Sequence, residues 1–180
     1  MIYIFLADGF EEIEALCPLD ILRRAGLETV TVGVGGKREI VGAHGIGVLA
    51  DITDAELPKD SPELILLPGG MPGTKNLEAS DVVRAAILDA KARGSFIAAI
   101  CAAPSVLGKM GLLCGVEATC FPGFEQYLVG ATLSERKIVR DGRFITAKGM
   151  GVALEFGLCI VESLCGKEKA DEIAAQVQMI

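Results

Sequence analysis

The sequence predicts an α/β domain in which a mostly parallel sheet is covered by helices on both faces. Short continuous apolar runs recur at Ile2 to Ala7, Leu64 to Leu67 and Phe96 to Ile100, the pattern of strands buried on both sides. Helical patterns alternate with these runs nearly throughout, which lays parallel strands side by side through right-handed crossovers. The composition agrees: 51% of the residues are hydrophobic but only 5% aromatic, tryptophan is absent and there are 22 glycines, a mixture suited to close-packed strands of small and branched residues. The 180 residues form one expected domain, 1–180, without repeats or linkers.

Ile2 to Ala7 is the first strand, and its run stops at Asp8, far short of the roughly 20 apolar residues of a membrane span. It lacks the basic start and cleavage site of a signal peptide. A helix follows from Glu11 to Ala25, acidic in its first turn, basic at Arg23 and Arg24, and stopped by Gly26. Pro18 either kinks it or divides it into two segments. Thr29 to Val34 is a β-branched second strand, after which Ile40-Val41 and Ile46 to Leu49 form a small antiparallel excursion. Leu64 to Leu67 ends in Pro68-Gly69-Gly70-Met71-Pro72-Gly73. Ser80 caps a helix from Asp81 to Arg93 that Gly94 closes.

Phe96 to Ile100 then leads into Cys101, and Pro104 opens a short helix closed by Gly111. Glu117 to Cys120 is a short strand and Phe124 to Leu128 a helical piece. Lys137 to Arg140 and Arg143 to Thr146 flank the hairpin signal Asp141-Gly142. Gly149-Met150-Gly151 opens a helix to Cys165 with an apolar stripe of Val152, Phe156, Cys159, Ile160 and Leu164, and a last helix covers Lys167 to Gln178.

The net charge of −7, with no basic cluster, argues against nucleic acid as a partner and in favour of small molecules or proteins. The six cysteines contain no C-x-x-C pair, and His44 is the single histidine. Neither a metal site nor a disulfide framework is expected, and the thiols read as reduced and cytoplasmic.

Ligands of such sheets bind beyond the carboxyl ends of the strands, where Asp8 to Glu14, Pro68 to Gly73 and the segment from Cys101 converge. Cys101 sits on a tight strand-to-helix turn flanked by Ala98, Ala99, Ala102 and Ala103, a nucleophile elbow with sulfur in place of a hydroxyl. The turn points the sulfur at a helix amino end, which favours a thiolate. A free cysteine is equally a common core residue, so the elbow alone leaves packing and chemistry both open.

Glu11 and Glu12 read as partners of the helix dipole. Glu14 shares a face with Cys17, Ile21 and Ala25, so its carboxyl is carried inward; burial and a thiolate neighbour would both raise its pKa and let it hold or shuttle a proton. Gly70 and Ala102 can each offer a backbone N–H to an oxyanion beside Cys101. The G-G-x-x-G pattern at Gly69 to Gly73 lacks the ending of a phosphate-binding loop.

The stretches A-D-G-F-E-E-I-E-A (7–15), L-L-P-G-G (66–70), A-A-I-C-A-A-P (98–104), D-G-R-F-I-T-A-K-G-M-G (141–151) and E-F-G-L-C-I-V-E-S-L-C-G-K-E (155–168) together resemble the ThiJ/PfpI superfamily, a class I glutamine amidotransferase-like group, in the branch of the parkinsonism-associated protein deglycase. The resemblance runs from the first strand to the last helix. It implies a flavodoxin-like three-layer sandwich, usually a homodimer, with the family's reactive cysteine at Cys101, its partner carboxylate at Glu14, and backbone contributions from Gly70 and Ala102.

It also implies a cofactor-free enzyme of the glyoxalase III or deglycase type, acting on reactive carbonyls such as methylglyoxal or on glycated proteins. The alternative is a redox sensor or redox-regulated chaperone switched by oxidation of Cys101. Several family members carry a histidine where this chain has Phe121, and His44 lies where the branch often has an arginine near its dimer interface. Without imidazole to activate the thiol, protease or amidase chemistry is not expected. Through the resemblance, Arg24 and His44 are expected to face a dimer partner.

Overall fold

A computed structural model describes residues 1–58 and 62–179. The strands, in chain order, are β1 (Ile2–Leu6), β2 (Thr29–Gly33), β3 (Glu39–Val41), β4 (Gly47–Leu49), β5 (Ile52–Thr53), β6 (Leu64–Leu67), β7 (Phe96–Ile100), β8 (Glu117–Ala118), β9 (Thr132–Leu133), β10 (Ile138–Asp141) and β11 (Phe144–Ala147). The helices are α1 (Glu12–Arg24), α2 (Gly73–Ala79), α3 (Asp81–Arg93), α4 (Pro104–Lys109), α5 (Ala153–Cys165) and α6 (Lys167–Gln176).

The main sheet has the order β10-β11-β7-β6-β1-β2-β5 and is parallel except for β10, which pairs antiparallel with β11. Strand residues alternate between two cores. Ile4, Leu66, Ala98 and Ile145 face α1, α5 and α6, whereas Phe5, Leu67, Ala99 and Ile97 face α2, α3 and α4. Helices therefore cover both faces, giving the flavodoxin-like three-layer arrangement. The strand order reverses between β1 and β6, since β2 follows β1 outward on one side and β7 follows β6 on the other. A crevice opens at that switch point, and it lies in the middle of the sheet.

Helix α1 runs continuously through Pro18, so of the two expected effects of this proline, a kink or a division, it is not divided. Proline removes only the N–H that would bond the Glu14 carbonyl, while its ring is buried against α5. There, a Cβ on Gly157 would stand 3.1 Å from Ile21 Cβ and 3.2 Å from Pro18 Cα, so the glycine lets the two helices meet closely. At α3 the predicted signals hold: Ser80 Oγ accepts the Val83 N–H and Gly94 closes the helix at φ 74°.

The hairpin is displaced by one residue. Asp141 pairs with Phe144, so the loop is Gly142-Arg143 rather than Asp141-Gly142. The Asp141 carboxylate accepts the Glu117 N–H at 2.8 Å, which keeps this residue in the ladder, and Gly142 takes the left-handed conformation at φ 55°. Strand β8 stops at Ala118 because the Thr119 N–H turns to Thr146 Oγ1 at 3.0 Å. Helix α2 and the two-residue strands β5 and β9 carry no sequence signal long enough to register.

Candidate active site

Because β11, β7, β6 and β1 are neighbours, the segments leaving their carboxyl ends meet over the switch point. Cys101 follows β7 directly and is held at φ 65°, in the left-handed region that a side chain rarely enters. Both of its backbone groups are tied. Its N–H donates to the Ala147 carbonyl at 2.8 Å, and its carbonyl accepts the Phe121 N–H at 2.8 Å. Surroundings that bind a strained residue on both sides impose its conformation, and here they turn the sulfur into the crevice.

Glu14, in the first turn of α1, is 1% exposed. Its Oε2 accepts the Gly69 N–H at 2.9 Å, and its carboxylate also receives hydrogen bonds from the Cys101 thiol and the Met150 N–H. Burial pushes its carboxyl up to about 7 against those hydrogen bonds, and the nearby Glu11 charge adds to the rise. The N–H groups of Ala102 and Gly70 point at the Cys101 sulfur. The four residues singled out in the sequence, Cys101, Glu14, Gly70 and Ala102, are thus brought together.

The expected thiolate is corrected. Burial, then the Glu14 charge and its hydrogen bond, push the Cys101 thiol up to about 12. The two amide N–H groups oppose this, but α4 is a short helix that begins only at Pro104, so its dipole is weak where the sulfur sits. Carboxyl and thiol consequently hold one proton between them over a wide pH range. With Glu14 ionised, the carboxylate is placed to accept the thiol proton; with Glu14 protonated, it can donate to sulfur.

Glu12 departs from its expected role at the helix dipole. It is 4% exposed, and its carboxylate accepts the His44 N–H and pairs with His44 Nδ1, both at 2.8 Å. Burial opposes ionisation of Glu12, yet the hydrogen bonds from His44 and from backbone groups around it hold its carboxyl below the usual range. Among the described residues, Glu11, Glu12 and His44 set one potential donor atom each within 4.8 Å of one another. Arg24 pairs with Asp20 at 2.6 Å on the exposed side of α1.

The remaining cysteines divide by burial. Cys120 is buried and its thiol is pushed up to about 12 by that burial, while Cys17 and Cys159 are half-buried and also raised. Cys165 is exposed at the end of α5, and Cys114 is exposed near the Val129 carbonyl.

One contributor lies outside the three expected segments. Gly149-Met150, directly after β11, supplies the Met150 N–H to Glu14, and a Cβ on Gly149 would stand 3.3 Å from the Phe121 ring and 3.8 Å from Glu14 Oε1. The available signal was a G-M-G sequence at the carboxyl end of a buried strand, the same signature that marked Gly69-Gly70.

The DJ-1/PfpI family profile matches residues 1–163. Protein dj-1beta of Drosophila melanogaster is 36% identical over 173 residues, covering 95% of this chain and 92% of its own. A protein of Caenorhabditis elegans, the glutathione-independent glyoxalase DJR-1.2, is 32% identical over 165 residues, covering 91% and 87%. Among solved structures, oxidised Toxoplasma gondii DJ-1 superimposes with a TM-score of 0.95 at 35% identity, covering 98% of this chain and 97% of its own.

Proposed function

The chain belongs to the DJ-1/PfpI family, and from that premise we propose that it is a cysteine-dependent, cofactor-free enzyme acting on reactive carbonyls, converting a 2-oxoaldehyde such as methylglyoxal to a 2-hydroxy acid. The observation that carries the reading is the buried Glu14 carboxyl bonded to the Cys101 thiol, with the Gly70 and Ala102 N–H groups aimed at the same sulfur. A relative that is named a glutathione-independent glyoxalase supports the substrate class.

The steps balance without an oxidant or a metal. Sulfur adds to the aldehyde carbon as Glu14 takes the thiol proton, forming a C–S bond and breaking the carbonyl π bond. The resulting oxyanion is held by the two N–H groups and then protonated from Glu14. Glu14 next removes the hydrogen from the former aldehyde carbon and returns it to the adjacent carbon, while the hydroxyl proton on the former aldehyde oxygen passes to the keto oxygen through the enediol, leaving a 2-hydroxyacyl thioester on Cys101. Water hydrolyses the thioester, which releases the acid and restores the thiol. The net reaction adds one water to the oxoaldehyde.

The test is formation of lactate from methylglyoxal by purified protein, with Tris and free thiols excluded. Both Cys101→Ala and Glu14→Gln are expected to reduce turnover at least a hundredfold. Wild-type turnover no higher than that of Cys101→Ala would overturn the proposal.

A second reading has its own support in a relative solved in an oxidised form. A sulfinate on Cys101 would meet the same two N–H groups and a protonated Glu14, so the site suits a redox sensor as well. Selective oxidation of Cys101 by peroxide, without turnover, would favour it.

We further propose that the chain acts as a homodimer. Ile13, Val41, Ile46 and Leu49 are 46 to 67% exposed, and the β3-β4 hairpin that carries three of them is tied to the start of α1 by His44 and Ala43. Sedimentation of Leu49→Lys as a monomer, beside a dimeric wild type, is the expected outcome; a monomeric wild type would refute it.

A further inference from the structure

An apolar cleft of about 380 Å³ is lined by Phe121, Pro122, Lys148, Gly149, Met150 and Val152, and it meets the site at Gly149, where a Cβ would stand 3.8 Å from Glu14 Oε1. Resting on the carbonyl-enzyme reading, we infer that this cleft selects 2-oxoaldehydes bearing a branched or aromatic hydrocarbon substituent over methylglyoxal, with Phe121 and Met150 as the residues that set the preference.

Continuity with the site comes from the backbone. The Phe121 N–H is bonded to the Cys101 carbonyl, the Met150 N–H is bonded to the Glu14 carboxylate, and Gly149 lies between the Phe121 ring and Glu14 Oε1. The cleft wall and the proton-transfer pair are therefore anchored to each other at both ends. Gly149 is the point where cleft and site meet, and its lack of a side chain leaves room there for a substituent to pass from the site to the Phe121 ring.

The lining explains the chemistry selected. Phe121 is 46% and Met150 53% exposed in the single chain, two large apolar side chains beside the site that a hydrocarbon substituent can cover. Lys148 turns its ammonium to Glu135 at 3.2 Å, so its hydrocarbon stem is what remains for the cleft. A methyl group would cover little of this surface, whereas an isobutyl or benzyl group would cover both Phe121 and the Met150 thioether. Filling an open apolar cleft of this kind with a larger hydrocarbon group changes kcat/KM by roughly tenfold or more.

Two measurements test the inference independently of each other. The first compares kcat/KM for isobutylglyoxal and methylglyoxal. The wild type is expected to prefer the former by about tenfold, and Phe121→Ser and Met150→Ser are each expected to shrink that ratio several-fold. The second needs no turnover. Alkylation of Cys101 by N-benzyl iodoacetamide and by iodoacetamide is followed on the Cys101 peptide by mass spectrometry, each rate divided by that of free glutathione.

A normalised ratio near ten in the wild type, falling toward one in Phe121→Ser, supports the inference. A wild-type ratio near one overturns it, whatever the aldehyde kinetics show. If neither aldehyde is turned over while the alkylation ratio and its loss in Phe121→Ser persist, the carbonyl chemistry fails and apolar recognition by the cleft stands.

Discussion

The Gly69 N–H donates to Glu14 Oε2 at 2.9 Å, and a Cβ on Gly69 would lie 2.6 Å from that same oxygen and 2.6 Å from Cys101 Cβ. No alanine fits there without moving one of the two groups. Gly69→Ala is accordingly expected to destabilise the fold by about 1–3 kcal/mol and to abolish the Glu14–Cys101 hydrogen bond. Urea denaturation and the Cys101 alkylation profile check both. Retention of wild-type stability together with the wild-type profile would show that the crevice is looser than these distances state.

The pH dependence of turnover follows from the shared proton. Glu14 must be ionised to accept the thiol proton, so kcat/KM is expected to rise with pH through about 7 and to lose that rise in Glu14→Gln. Removing the Glu14 charge also takes away a cause of the raised Cys101 pKa. The inflection for Cys101 alkylation should therefore move down in Glu14→Gln. An unmoved inflection would separate the two groups.

Stability carries the same signature with a defined sign. A carboxyl raised from 4.5 to about 7 by folding binds its proton more tightly in the native state. Its contribution is fully present below 4.5 and is lost as pH rises to about 7, above which stability is level with respect to this group. The span is up to about 3 kcal/mol. Glu14→Gln is expected to flatten this part of the curve of unfolding free energy against pH; an equal slope in wild type and variant would contradict it.

Cys101 reverses the usual ranking of alanine and glycine. At φ 65° a Cβ is strained, and the strain of such a residue is of order 1–3 kcal/mol. Cys101→Gly is expected to be more stable than Cys101→Ala by about 1 kcal/mol, both having lost the sulfur and its contacts. Thermal unfolding of the pair settles the point, and a more stable Ala variant would deny the strain.

The architecture was legible because its signals are local. Continuous apolar runs marked β1, β6 and β7, and Ser80 and Gly94 bounded α3. The site was legible for the same reason, at Gly70, Cys101 and Ala102 as small residues just past a strand end and at Glu14 as an acid on the inward face of α1, and the family resemblance joined them. What escaped were effects made by the tertiary environment. The protonation of Cys101 depends on burial and on a carboxylate 87 positions away in the chain, and Glu12 found His44 only because the β3-β4 hairpin folds over α1. The hairpin loop shifted because Asp141 bonds a distant N–H, that of Glu117.

The meeting of β11, β7, β6 and β1 at one crevice also fixes when the chemistry becomes available to the chain. β11 ends at Ala147, and Met150 follows it, so during synthesis Glu14 and Cys101 have both left the ribosome long before the wall that encloses them. Until then Glu14 is an ordinary hydrated acid and Cys101 an ordinary thiol. The chain thus withholds its proton pair, and the reactivity that depends on it, until nearly all of the domain has been made.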